Sequence, residues 1–138
     1  MQGRQYPIVP QGTFLKNTRA KNTLTPRADT GYQTGARLGT AGKAKSWEIA
    51  YFYKWLETDA TVADAADSDF GDGGTNRVGH IFWVGYAPKD WMSLRAKAFV
   101  TDTLDRSFPT VAGVTSPTAT TNLDKAINRL QLDMVVKF

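Results

Sequence analysis

The chain has 138 residues, no cysteine and a net charge of +4, and 41% of its residues are hydrophobic. This length suits one domain, and the lack of cysteine excludes disulfides and thiolate metal sites. The excess of 17 basic over 13 acidic residues is too small to indicate a nucleic-acid partner. No run reaches the roughly 18 apolar residues of a membrane helix, but this test is blind to membrane β-barrels.

Residues 1–28 show no hydrophobic periodicity, so we predict an irregular arm or an external loop. The segment contains prolines and the basic cluster Lys16, Arg19 and Lys21. An arm that binds nucleic acid is the alternative, but a solvated loop is the better interpretation. The first residues, MQGRQYPIVPQGTF, lack the charged start and apolar core of a secretion signal. Either that start is missing or the protein is cytoplasmic.

Five later segments have the alternating pattern of β-strands. In chain order they are DTGYQTGARLGT (29–40), SWEIAYFYKWLET (46–58), GHIFWVGYA (79–87), WMSLRAKAFVTD (91–102) and NRLQLDMVVKF (128–138). In the last segment Leu132, Met134 and Val136 alternate with polar or smaller residues. The third segment is apolar on both faces, so its orientation is not predicted.

The connections between these strands alternate between short and long. AGKAK joins the first two strands and PKD joins the third and fourth, whereas residues 59–78 and 103–127 form long connections. Long structureless loops are uncommon in compact soluble domains, but outer-membrane barrels combine short periplasmic turns with long external loops. The chain is therefore predicted to be all-β, an antiparallel transmembrane β-barrel segment of about five strands. Residues 1–29 would also be external.

The two faces of the strands differ in chemistry. One carries aromatic and aliphatic residues, and the other carries charges that we predict to face a lumen: Arg37, Glu48, Lys54, Arg95, Lys97, Arg129, Asp133 and Lys137. A Lys or Arg near the midplane of the lipid face costs roughly 2–4 kcal/mol, so the apolar face is predicted to contact lipid. Trp47, Trp55 and Trp91 lie near strand ends, where interfacial aromatic residues belong.

The sequence resembles a family of bacterial porins. The resemblance covers about residues 29–138 and is carried by WEIAYFYKWLETDAT, DSDFGDGGTN, GHIF and a final alternating strand that ends in Phe. It implies a channel-forming barrel in the outer membrane of a Gram-negative bacterium. It also implies that the last strand carries the signal that the barrel-assembly machinery reads. The residues of that signal are Leu132, Met134, Val136 and Phe138.

The chain departs from this family in length, since family members are longer and begin with a secretion signal. Bacterial barrels have at least about eight strands, and open sheet edges are costly in lipid. Residues 29–138 are therefore interpreted as the C-terminal strands of a barrel, belonging to a fragment of a longer porin or to a truncated reading frame. Closure by homo-oligomerisation is the alternative.

Neither catalysis nor a cofactor is expected. His80 is the only histidine, so a catalytic or transition-metal site lacks partners. Acidic residues cluster between the second and third strands: Glu57, Asp59, Asp64, Asp67, Asp69 and Asp72. Oxygen ligands of this kind can hold calcium, but the spacing does not match the EF-hand loop. A solvated, acidic external loop is the better interpretation.

The expected function is passive diffusion of small hydrophilic solutes through a water-filled lumen. Basic wall residues outnumber acidic ones, which favours weak anion preference, although such charges can instead pair across neighbouring strands. The expected partners are outer-membrane lipid, the barrel-assembly machinery and the solutes. Two alternatives remain: a structural outer-membrane barrel without an open pore, and a soluble all-β binding module whose aromatic face packs against a second sheet.

Overall fold

The computed structural model describes residues 6–19, 28–61, 69–71, 73–104 and 126–137. These residues form one antiparallel sheet in which each strand pairs with the next along the chain. The strands are β1 (Ile8–Lys16), β2 (Thr30–Gly39), β3 (Ser46–Leu56), β4 (Arg77–Lys89), β5 (Met92–Thr103) and β6 (Ile127–Val136). The sheet is open and is a segment of an incomplete barrel. No helix in this part of the chain has the length and apolar character needed to cross a membrane.

The structure confirms the predicted all-β antiparallel segment, and the sheet has six strands, one more than the five that the sequence indicated. The additional strand, β1, lies within residues 1–28, which were predicted to be irregular. It escaped prediction because Pro10 and Gly12 interrupt its alternation, and both residue types are depleted in strands. Proline is tolerated in edge strands, and in the described part of the chain β1 pairs only with β2.

The antiparallel order places the connections at two opposite ends of the sheet. The short-turn end holds residues 40–45 and 90–91. The long-loop end holds the described residues 17–19, 28–29, 57–61, 73–76, 104 and 126. In β1, Ile8 pairs with Leu38, so Tyr6 and Pro7, which directly precede β1, lie at the short-turn end. There the ring of Tyr6 stacks on Trp47 with a centroid separation of 4.6 Å. The prediction that all of residues 1–29 lie with the long loops is therefore wrong for Tyr6 and Pro7.

A hydrogen bond joins the two short turns to each other. The amide of Ala44 donates to Asp90 Oδ1 at 2.7 Å. Within the first turn, the amide of Lys43 donates to the Ser46 hydroxyl at 3.0 Å, and Lys45 adopts a φ of 62°. In the second, the register shifts between Tyr86 and Lys89. The two short turns are thus held together at this end of the sheet.

Residues that pair directly across antiparallel strands point to the same face, so the register defines two faces. The inner face includes the row Gly35, Phe52, Ile81, Phe99 and Arg129. The outer face includes the row Ala36, Tyr51, Phe82, Ala98 and Leu130. This register also settles the orientation of β4, which the sequence left open. His80, Phe82, Val84 and Tyr86 lie on the outer face, whereas Ile81 and Trp83 lie on the inner face.

The two faces differ in charge and in burial. The inner face carries most of the charged strand residues and also the buried cluster of Ala50, Phe52, Ile81 and Phe99. Large apolar side chains are exposed on the outer face: Ile8, Phe14, Tyr32, Ile49, Tyr51, Phe82, Val84, Tyr86, Leu94, Val100, Leu130, Leu132 and Met134. An exposed apolar surface that spans all six strands indicates contact with something other than water.

Glycine on the inner face allows the strands to approach each other closely. A Cβ on Gly35 would overlap the carbonyl oxygen of Tyr51 and lie 2.7 Å from the Cα of Phe52. A Cβ on Gly79 would likewise overlap the carbonyl oxygen of Val100. Glycine in a strand interior often marks a tight bend at a barrel corner. These positions are therefore suited to a sheet that curves toward its inner face.

Candidate functional site

The candidate site is the inner face of the sheet, which would be the wall of a pore. The register places nearly all the predicted wall charges on this face: Arg37, Glu48, Lys54, Arg95, Lys97, Arg129 and Asp133. The exception is Lys137, which follows β6 and whose amide donates to the carbonyl of Trp91 at 2.8 Å. That the inner face lines a lumen remains a prediction.

At the short-turn end, Glu48 is the centre of a polar cluster. Glu48 is only 3% exposed. Oε1 accepts hydrogen bonds from Arg95 Nη2 at 2.8 Å and from Trp83 Nε1 at 3.1 Å, and Oε2 accepts from the amide of Ala41 at 3.4 Å. The negative charge of Glu48 is therefore compensated within the wall.

Gly85 is the reason that Glu48 and Arg95 can meet. It lies between them in the register, on β4, while they lie on β3 and β5. A Cβ at this position would come within 2.7 Å of Glu48 Cγ, so only glycine leaves the space. The ion pair thereby bridges two strands that are not neighbours. The sequence analysis missed Trp83, and the apolar run on both faces of β4 gave no signal for its role.

Basic residues dominate the middle of the inner face. Arg37 and Lys97 share the row that runs through Ala50, Trp83 and Gln131. Lys97 Nζ lies 5.0 Å from the centroid of the Phe99 ring. Neither Arg37 nor Lys97 forms an ion pair within the described ranges. The acidic side chain closest to Lys97 in the register, Asp133, accepts a hydrogen bond from Gln131 Nε2 at 3.4 Å.

Residues from the connection between β3 and β4 pack on the inner face near the long-loop end. Phe70 is only 1% exposed and packs with Phe52, Ile81 and Phe99. Lys54 Nζ lies 4.7 Å from its ring centroid, and Asp69 Oδ1 lies 3.2 Å from Arg129 Nη1. The prediction of a solvated external loop is therefore wrong for this segment.

The reason for this error is a single apolar side chain in an otherwise polar segment. The sequence analysis considered the aspartates of this segment but not Phe70, which is the only aromatic residue among residues 57–76. Of the acidic residues considered there, Asp64, Asp67 and Asp72 lie outside the described residues. Among the residues that the structure describes, no group of three or more His, Asp or Glu side chains could hold a metal ion.

Aromatic residues lie near both ends of the outer face. At the short-turn end Trp47 pairs with Tyr86, and Trp91 in the turn is 53% exposed. At the long-loop end Trp55 stacks on Tyr32 with a centroid separation of 6.2 Å. Trp47 and Trp55 are eight residues apart on β3, which is about 27 Å of strand. With a tilt of about 40°, this is roughly 20 Å across a membrane, comparable with the apolar band of known barrels.

One outer-face cluster was not found in the sequence. The Tyr51 hydroxyl lies 2.9 Å from Nδ1 of His80, and His80 packs beside the rings of Tyr53 and Phe82. The lone histidine is thus a member of an aromatic group on the outer face. The orientation of β4 was the missing information, because the sequence did not show which face His80 occupies.

The predicted assembly signal lies on strand β6. Leu132 and Met134 are on the outer face and are 75% and 63% exposed, and Val136 is partly buried. Phe138 lies outside the described residues. Since β6 pairs only with β5 in the described structure, its second edge is open.

An antiparallel meander with a charged inner face and an exposed apolar outer face is typical of the wall of a membrane β-barrel. A protein-family model with the description "Putative porin" matches residues 11–138. The chain therefore belongs to this porin family, which confirms the resemblance seen in the sequence. The match begins inside β1 and covers the other five strands. Searches of curated proteins and of solved structures found no match.

Proposed function

We propose that the protein forms part of a water-filled channel in a bacterial outer membrane, through which small hydrophilic solutes diffuse passively. The observation that carries the proposal is the reversed polarity of the sheet, with charges inside and apolar side chains exposed outside. Family membership supports the same function. Six strands do not close a barrel, so further strands, from a longer chain or from other copies, complete the lumen.

The outer face is suited to acyl chains because charges are confined to its two ends. Within the described strands, its charged residues are Lys16, Lys89 and Asp102. Asp102 pairs with Val78, which pairs with Trp55, so Lys16 and Asp102 lie at or beyond the level of Trp55. Lys89 pairs with Met92 and lies beyond the level of Trp47. Between Trp47 and Trp55 the outer face carries none. A lipid bilayer imposes this distribution, because a charge is most costly at its midplane and least costly at its interfaces.

The β6 strand supports a further part of the proposal, which is recognition by the barrel-assembly machinery. Its outer face exposes Leu132 and Met134, and its free edge offers unpaired backbone groups. A strand of this kind can be recognised by another protein when it pairs, as an additional strand, with the edge of that protein's sheet. The strand would then serve both as a wall element and as a recognition signal.

Single-channel recording in planar bilayers tests the proposed channel. The purified outer-membrane protein should produce discrete conductance steps, and cell fractionation should recover it with detergent-extracted outer membrane. Outer-membrane recovery without conductance would favour the structural barrel, a reading that the inward packing of Phe70 also allows. A stable monomer in the cytosol would contradict both and favour the soluble binding module.

We further propose weak anion preference, based on Arg37 and Lys97. Lys97→Glu is expected to lower the chloride-to-potassium permeability ratio by up to roughly fivefold, since two unit charges at 4 Å interact by about 1 kcal/mol in water. Lys43→Glu makes the same charge change in an exposed turn and should have a smaller effect. Reversal potentials in a salt gradient measure the ratio. Cation preference in the native channel would reject anion preference while leaving the channel itself intact.

A further inference from the structure

Four exposed lysines lie at the short-turn end of the sheet, and we call them the lysine rim. Lys43 and Lys45 are in the turn between β2 and β3, Lys89 is the last residue of β4, and Lys137 follows β6. Beyond the level of Trp47, the only acidic side chain in the described part of the chain belongs to Asp90. This end of the sheet therefore carries a positive excess.

The opposite end has no such excess. At or beyond the level of Trp55, the described charged residues are nearly balanced: Asp29, Glu57, Asp59 and Asp102 against Lys16, Arg19 and Arg77. One ion pair forms among them, with Lys16 Nζ 4.0 Å from Asp29 Oδ2. The positive excess of the lysine rim is thus a property of one end of the sheet.

Hydrogen bonds fix the backbone of the lysine rim. The amides of three of its residues donate to neighbouring groups: Lys43 to the Ser46 hydroxyl at 3.0 Å, Lys45 to the carbonyl of Ala87 at 2.6 Å and Lys137 to the carbonyl of Trp91 at 2.8 Å. Within the described residues, Lys43, Lys89 and Lys137 form no ion pair. Their ammonium groups are therefore available to a partner, and the fixed backbone lowers the entropy that binding costs.

The aromatic residues of this end place the lysine rim at a defined depth. Trp47 pairs with Tyr86 on the outer face, and such rings lie at the level of the lipid head groups. Lys45 is two residues beyond Trp47, which is about 7 Å of extended chain. The head-group zone on each side of a bilayer is about 5–8 Å thick, and lysine side chains reach along it with their charge in water. The ammonium groups therefore lie level with lipid phosphates.

We propose that the lysine rim binds the phosphate groups of anionic phospholipids in the leaflet at the short-turn end. The inference rests on membrane insertion, as in the proposed function, but not on conductance. An ammonium group is a compact donor for phosphate oxygens. A zwitterionic head group already supplies its own cation to its phosphate, so the lysine rim should prefer a head group without one. Binding would hold this end of the barrel at a fixed depth and enrich anionic lipid around it.

Quenching by labelled lipids tests this proposal on the purified outer-membrane protein in phosphatidylcholine vesicles. A small, equal fraction of the lipid is phosphatidylglycerol or phosphatidylcholine with a nitroxide near the head-group end of one acyl chain. The chain has no cysteine, so a fluorophore on Thr40→Cys reports from the short-turn end and one on Thr18→Cys from the long-loop end. The Thr40 label should show a roughly fivefold enrichment of phosphatidylglycerol, and the Thr18 label a much smaller one.

Removing the charges of the lysine rim should abolish the enrichment at the Thr40 label. The test variant combines Lys43→Gln, Lys45→Gln, Lys89→Gln and Lys137→Gln. Its control, Lys16→Gln with Arg19→Gln, removes two cations from the opposite end and should leave the enrichment unchanged. Asp90→Asn should increase it, because the opposing carboxylate is lost while an oxygen remains to accept from the amide of Ala44.

A salt titration tests the native lysine rim without the combined variant. Raising the ionic strength from about 0.1 to 1 M shortens the screening length from about 10 to 3 Å, so the enrichment should fall severalfold. An enrichment that resists salt, or one that is no larger at the Thr40 label than at the Thr18 label, would overturn the proposal.

The outcomes also separate the lysine rim from the channel. Equal quenching by the two lipids in a protein that conducts rejects lipid binding and leaves the channel intact. Failure of the native protein to insert into vesicles rejects the membrane barrel and lipid binding together. Absence of lipid enrichment, combined with lysine-dependent sedimentation on isolated peptidoglycan, would show that the partner is an acidic polymer and that the lipid proposal is wrong.

Discussion

Replacing Val84 with lysine is expected to lower the free energy of unfolding of the membrane-inserted protein by about 2–4 kcal/mol. Val84 lies on the central part of the outer face, in the row that runs through Ile49, Ala96 and Leu132. It is 53% exposed, so in water the same replacement would change stability by only about 0.5 kcal/mol or less. The size of the effect therefore reports whether lipid or water covers this face.

Gln131→Lys is the matched control for Val84→Lys. Gln131 lies on the inner face, in the row next to that of Val84. Gln131→Lys therefore introduces the same charge at nearly the same height along the strands. It should cost much less, because the proposed lumen contains water. Denaturant titration in lipid vesicles, followed by tryptophan fluorescence, measures both variants. Equal and small costs would show that water covers the outer face, and the soluble module would then be the better interpretation.

Gly35→Ala is expected to destabilise the protein by about 1–3 kcal/mol, because the added methyl group forces the backbone to move. The methyl group would overlap the carbonyl oxygen of Tyr51, on the neighbouring strand, and approach both the Cα and the ring of Phe52. Backbone atoms cannot rotate out of the way as a flexible side chain can. The substitution should therefore disturb the pairing of β2 with β3, which positions Phe52 in the buried cluster that contains Phe70.

Gly12→Ala is the control for this substitution, since it lies on β1 and has space around it. A Cβ there would meet only the carbonyl oxygen of Gln33, at 4.0 Å. Gly12→Ala should lower the free energy of unfolding only slightly, or should raise it, because alanine reduces the conformational entropy of the unfolded chain. The same denaturant titration compares the two glycines. If Gly35→Ala were as stable as Gly12→Ala, close strand approach would not be a requirement of this sheet.

The sequence analysis succeeded where the signal was local and periodic. Strands β2, β3, β5 and β6 alternate clearly, and the alternation assigned Glu48 and Arg95 to the inner face without knowledge of their partners. It failed for β1, where Pro10 and Gly12 hide the pattern. For β4 it found the strand but not its orientation, because apolar residues occupy both faces.

The candidate site was predicted as a set of charges but not as an arrangement of contacts. The shared face of Lys97 and Arg129 follows from strand parity alone. The pairing of Glu48 with Arg95 does not, because it requires that Gly85 lie between them in the register. The inward path of Phe70 was also missed, since one aromatic residue among aspartates and glycines carries no periodicity.

The sequence by itself determined the all-β class, the division of residues between two faces and the alternation of short and long connections. These properties follow from the two-residue period of a strand, which operates within a few residues of chain. Only the tertiary structure decided the register, the bridge from Glu48 to Arg95 and the burial of Phe70. Each of these joins residues far apart in the sequence, so it depends on which strands become neighbours and on the space that glycines leave between them.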